Sequence, residues 1–187
     1  MKVIRHSMFE TNSSSTHSIA ISKKKVNVKS LPSKINFYIG DFGWSHEEVN
    51  RANYFYTALA LNYGKDGLDD ALKHVKSVLL NIGVDSEFSI PEWYDSGRLA
   101  NGYIDHFDEI REFVTTLMSD DQMLIRYLFS DSHVYTGNDN QEFDNDNATK
   151  YVSKSKVYEY DNDTNDYKYV INKNHDENKY DYFFKGN

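Results

Sequence analysis

The sequence predicts an α+β fold: N-terminal β segments, a central helical region of about four helices, and a C-terminal antiparallel β-meander. Three observations carry this. Polar and apolar residues alternate with a period of two near both ends, as in Ser18-Ile19-Ala20-Ile21-Ser22 and Val157-Tyr158-Glu159-Tyr160. Between about residues 45 and 130 the apolar positions instead recur every three or four residues. No stretch rich in Pro or in Gly/Ser interrupts the chain, so its 187 residues are expected to form one domain, 1–187.

Taken in order, Val3-Ile4 opens a short strand and Ser18–Ser22 forms the next, which makes residues 9–17 a strand-to-strand connection. Ile35-Asn36-Phe37-Tyr38-Ile39 reads as a further strand ending at Gly40. Ser45-His46-Glu47-Glu48 has the spacing of a capping box, so a helix is expected to start there and to stop near Gly64. Leu68, Leu72, Val75, Leu79 and Ile82 mark a second helix closed by Gly83. Pro91 suits the opening of a short helical turn, and Gly97 and Gly102 bound a loop. Ile104, Phe107, Ile110, Val114 and Leu117 define a third helix, and Ser119-Asp120-Asp121-Gln122 is a second capping box that opens a fourth. Three alternating segments, around Val157–Tyr160, Tyr167–Ile171 and Tyr180–Phe184, then make the meander, separated by Asn/Asp-rich turns.

Composition narrows the function. With no cysteine there is neither a disulfide nor a thiolate nucleophile nor a Cys-based zinc site. The opening residues lack the apolar core of a signal peptide, and no run approaches the roughly 18 apolar residues of a membrane span, so a cytoplasmic protein is expected. The 15 Tyr and 11 Phe suggest an interior built from rings as much as from aliphatics. A net charge of −8 argues against a general nucleic-acid coat, yet the charge is uneven. Residues 1–44 carry 7 Lys and Arg against 2 acids, residues 45–130 carry 7 against 15, and residues 131–187 carry 7 against 12. There is no P-loop, dinucleotide fingerprint, HExxH, nucleophile elbow or EF-hand loop.

One dense chemical cluster stands out, Phe9-Glu10-Thr11-Asn12-Ser13-Ser14-Ser15-Thr16-His17-Ser18, in the only basic third. Glu10 and His17 can supply general acid and base, while Asn12, Ser13, Ser14, Ser15 and Thr16 can donate to an anionic oxygen. Lys23 and Lys24, with Lys25, would attract such an anion, or form an ordinary solvated turn. The whole run can equally be a polar connection whose side chains hydrogen-bond their own backbone.

Two later stretches could face it. In Tyr103-Ile104-Asp105-His106-Phe107-Asp108-Glu109 the acids suit a helix N-terminus, and His106 is either a satisfied boundary histidine or a titratable group aimed at the site. Thr136-Gly137-Asn138-Asp139-Asn140 is either a plain turn or a binding loop. In the second case Asn138 and Asn140 would contact substrate and Asp139 would ligate a divalent metal such as Mg or Mn.

The opening phrase, with Tyr103–His106 and Thr136–Asn140, resembles a group of bacteriophage and mobile-element proteins that begin with a near-identical "ETNSSSTHS". The resemblance implies a setting in an infected bacterial host, in host takeover or blockade of host immunity, including anti-CRISPR activity; it implies no mechanism. The reading that follows is an anti-defence enzyme cleaving a phosphodiester in RNA or a nucleotide. Its acid and base would be His17 and His106, with Glu10 or Asp139 as the orienting carboxylate or metal ligand. Its partner would be a host defence effector or the effector's guide RNA, with no membrane involved. The alternative is a non-catalytic inhibitor whose acidic surface, including Asp139 to Asp146, imitates nucleic acid and blocks a host nuclease. Oligomeric state is open.

Overall fold

A computed structural model describes residues 15–43, 47–105, 107–138, 156–171 and 178–185. The elements in chain order are β1 (Ser15–Ser22), β2 (Lys34–Phe37), β3 (Asp41–Phe42), β4 (Glu47–Glu48), α1 (Arg51–Asn81), β5 (Asp85–Phe88) and β6 (Tyr103–Ile104). There follow α2 (Phe107–Ser119), α3 (Asp121–Phe129), β7 (His133–Asn138), β8 (Lys156–Asp161), β9 (Asp166–Ile171) and β10 (Tyr180–Lys185). The class is α+β, as expected. No helix among the described residues is long and apolar enough to cross a membrane.

The principal sheet has the order β10-β1-β7-β4, with β1 antiparallel to both neighbours. Ser22 pairs with Tyr180 and His17 with Lys185 on one side, while Ala20 pairs with His133 and Ser15 with Asn138 on the other. This corrects the expected meander. β8 and β9 do form an antiparallel hairpin, turned through residues 162–165 with Asn165 at φ 55°, but β10 crosses to β1 instead of extending it. Alternation marks a segment as a strand without naming its partner. Separate parallel pairs join β2 to β5 and β3 to β6.

Among the described residues three α-helices stand where four were expected, because the first two run together as α1. Their junction is where it was expected: Gly64 sits at φ 64°, ψ −174°, a conformation open essentially to glycine alone, and breaks the helix without ending the element. Neither expected cap is the one used: the first box does not open a helix, and the second opens α3 from its second residue. Glu47 and Glu48 belong to β4, paired to Thr136 and Tyr135, and α1 is capped by Asn50, whose side chain accepts from Asn53 N at 3.1 Å. Two backbone pairings with β7 outweigh the helical start there, since a cap needs only one short polar side chain and Asn50 supplies it. At α3 the cap is Asp120, accepting from Met123 N at 2.9 Å, and the Ser119 hydroxyl donates to Thr116 O. Residues 90–100 form a narrow loop bridged at Trp93 and Leu99, with Gly97 at φ 78°, and Ile104 lies in β6 ahead of α2.

The core is as aromatic as the composition suggested. Tyr54, Tyr56, Tyr127, Phe37 and Phe55 are fully buried. The Tyr54 ring meets Phe42 at 5.3 Å between centroids, and Phe113 meets Tyr127 at 5.2 Å, both edge to face. Ile19 and Ile21 of β1 join this cluster, together with Ile110, Phe113, Val114 and Leu117 of α2 at helical spacing.

Candidate functional site

The structure places the last residues of the opening run inside β1, in the middle of the principal sheet, and not in a connection. Ser15, Thr16 and His17 are in register with Asn138, Gly137 and Thr136 of β7. Two of the three stretches singled out from the sequence therefore do meet, as neighbouring strands. Glu10, Asn12, Ser13, Ser14, His106, Asp139 and Asn140 lie outside the described residues.

His17 is fully buried, two and four residues from Ile19 and Ile21 on the same strand. Its Nδ1 lies 3.1 Å from the Tyr54 hydroxyl, and the ring centroids are 6.0 Å apart. Burial holds the Tyr54 phenol far above its ordinary pKa, so the hydroxyl keeps its proton and suits donation to a neutral imidazole. Thr136, the register partner of His17, is also fully buried. Within the described residues this end of the run has the surroundings of a core polar group. The signal was available, because His17 continues the period-two set of Ile19 and Ile21.

Lys23 and Lys24 are engaged in ion pairs. Lys24 Nζ lies 3.0 Å from Asp131, and Lys23 Nζ lies 3.7 Å from Asp181, which Arg126 approaches at 3.6 Å. Beside them the Ser132 hydroxyl accepts from Ser22 N and donates to Arg126 O, each at 2.9 Å, while Arg51 donates to Ser130 O at 2.6 Å. Burial lowers the pKa of the Arg51 guanidinium, opposed by the nearby Tyr127, Glu48 and Asp131. This network ties the end of β1 to the turn between α3 and β7.

Sequence reasoning missed the closest carboxylate–imidazole contact among the described residues, His133 Nδ1 to Glu48 Oε1 at 2.6 Å, with the ring centroid of Tyr180 6.2 Å from that of His133. Nothing local announces a pair 85 residues apart; it exists because β4, which carries Glu48, pairs with β7, which carries His133. A carboxylate on Nδ1 orients an imidazole. Among the described residues no three His, Asp or Glu side chains are arranged to hold a metal ion.

The excursion between β5 and β6 was expected as a loop, but not as a candidate site. Its root is pinned: Tyr56 donates to Ser89 O at 2.5 Å, Ser89 N to Phe37 O at 2.9 Å, and Tyr103 N to Gly40 O at 3.1 Å. Tyr103 also donates from its hydroxyl to Asp105 at 2.5 Å. That bond, with partial burial and the charges of Asp105 and Asp41, pushes its pKa up to about 12. Between the roots the backbone carries Glu92, Tyr94, Asp95 and Arg98 to the exterior.

No family model, curated protein or solved structure matches the chain.

Proposed function

We propose that the protein is a non-catalytic anti-defence inhibitor whose acidic surface imitates nucleic acid and occupies a positively charged channel of a host nuclease. One observation carries the reading. Residues 85–121 hold ten acids against two arginines, an excess equal to the −8 of the whole chain, while the remaining residues balance at 19 against 19. The stretch includes β5, the excursion, α2 and the start of α3, and Asp85, Glu87, Glu92, Asp95, Asp108 and Asp121 along it are exposed. A concentrated field of one sign accelerates and orients association with a surface of the opposite sign. The anti-defence setting rests on the likeness of the opening phrase to the phage proteins. The test is target cleavage by a guide-loaded host nuclease. Inhibition should be stoichiometric, should weaken as salt rises, and should be lost in a variant combining Glu92→Gln, Asp95→Asn and Asp108→Asn. Inhibition at far below stoichiometric amounts, or indifferent to salt, overturns it.

The second reading is the enzyme that cleaves a phosphodiester in RNA or a nucleotide, and the Glu48–His133 contact favours it. An imidazole oriented by a carboxylate is the common form of a general base. On this reading His133 would join His17 and His106 as acid and base, with Glu10 or Asp139 as the orienting carboxylate or metal ligand. Incubation with RNA, with and without Mg²⁺ or Mn²⁺, should then give turnover that His133→Gln abolishes. No turnover under either condition removes it.

A further inference from the structure

We infer that the docking face of this protein is the excursion between β5 and β6 together with the ends of β2 and β3, and that its occupant is an arginine-rich protein surface. The inference rests on the inhibitor reading above and names the surface and the chemistry within it.

Four large apolar or aromatic side chains stand out of this one region: Ile90 is 88% exposed, Tyr94 57%, Tyr38 54% and Tyr103 47%. Single exposed hydrophobics are ordinary, but four gathered on one excursion and its footing are the composition of an interface core. The backbone places them together. Ile39 N donates to Ser89 Oγ, which sets Tyr38 beside the start of the excursion, and Asp41 is in register with Tyr103 where it returns. Tyr94 sits at the tip, where its N–H donates to Arg98 O and its carbonyl accepts from Gly97.

The carboxylates of the same region select the partner. Asp41, Glu92 and Asp95 are exposed among the rings, against the single cation Arg98. Rings interleaved with carboxylates suit guanidinium better than ammonium. A guanidinium is planar, stacks on an aromatic face and accepts a forked carboxylate contact, whereas an ammonium is a strongly hydrated point charge. The face is also held before binding: the Tyr103 ring by Asp105, the backbone of Tyr38 by Asn53 at 2.9 Å, and the root by Tyr56 and Ser89. Preformed rings lose little conformational freedom on binding.

The test uses an oligo-arginine and an oligo-lysine peptide of equal length as probes, titrated at low salt against the full chain by calorimetry. Oligo-arginine should bind about tenfold tighter than oligo-lysine, a preference on the scale of one stacked guanidinium. Tyr38→Ala with Tyr94→Ala should bring oligo-arginine to the oligo-lysine level. Both tyrosines are exposed, so circular dichroism should be unchanged. Asp66→Asn with Asp69→Asn, on the exposed side of α1, should leave the ratio unaltered. Equal affinity for the two peptides, or a ratio untouched by the tyrosine pair, overturns the assignment of the face while the acidic-inhibitor reading stands. If neither peptide binds, that reading falls as well.

Discussion

The hydrogen bond between His17 and Tyr54 ties β1 to α1 inside the core, and its loss can be measured. Both groups are fully buried and 3.1 Å apart. Tyr54→Phe removes only the hydroxyl and leaves the buried imidazole nitrogen without it, which costs about 1–3 kcal/mol. For a chain of this size a loss near 2 kcal/mol lowers Tm by about 4–8 °C. His17→Leu strands the Tyr54 hydroxyl in the same way at a similar cost of about 1–3 kcal/mol. The double variant replaces both partners by apolar groups, so its cost should fall short of the sum of the singles by about 1 kcal/mol or more. Urea unfolding followed by the fluorescence of Trp44 and Trp93 gives all three values, provided the slopes agree. Strict additivity would refute the argument, because two residues that stabilise each other cannot be independent.

Other outcomes follow from single positions. Gly64→Ala, forced into φ 64°, ψ −174°, should destabilise by about 1–3 kcal/mol in the same urea assay, whereas Gly67→Ala, at ordinary van der Waals distance from Tyr63, should not. Gly102→Ala would set its Cβ 2.3 Å from Ile39 Cγ2 and 2.8 Å from Leu99 Cδ2, so about 1–3 kcal/mol should be lost as the excursion shifts. Burial raises the pKa of Tyr54 and Tyr127 above the unfolded value of 10.0. The unfolded chain therefore releases these protons first, so their contribution is complete below pH 10 and is lost as pH climbs above it. Urea midpoints should be flat for these groups up to that point and fall beyond it, less steeply in Tyr54→Phe. Ser132→Ala removes the acceptor of Ser22 N and one bond to Arg126 O, and should cost about 1–3 kcal/mol by thermal unfolding.

Much of the local structure was legible in the sequence because it is set by spacing. The period of two in Ser18–Ser22 and the period near 3.6 in α2 follow from strand and helix geometry alone. The break at Gly64 follows from the one residue lacking a Cβ, and the ring-filled interior from the count of Tyr and Phe. Candidate chemistry was less legible. The burial of His17 follows from its parity with Ile19 and Ile21, whereas its contact with Tyr54 of α1 does not show in the local sequence. Glu48 looked like a capping residue, because four residues of sequence do not show the β7 edge that recruits β4.

What the tertiary structure alone decided are the choices between equivalent local elements. β10 has the same alternation as β8 and β9, yet it pairs with β1, where a central strand can satisfy both of its backbone edges. That choice set Asp181 beside Lys23 and Arg126, and Tyr180 beside His133. The acidic excess of residues 85–121 was countable from the sequence; that Ile90, Tyr94 and Tyr103 within it, and Tyr38 beside it, stay exposed was not. Spacing determines which face of an element is apolar, but only long-range burial determines what that face meets and which residues remain for a partner.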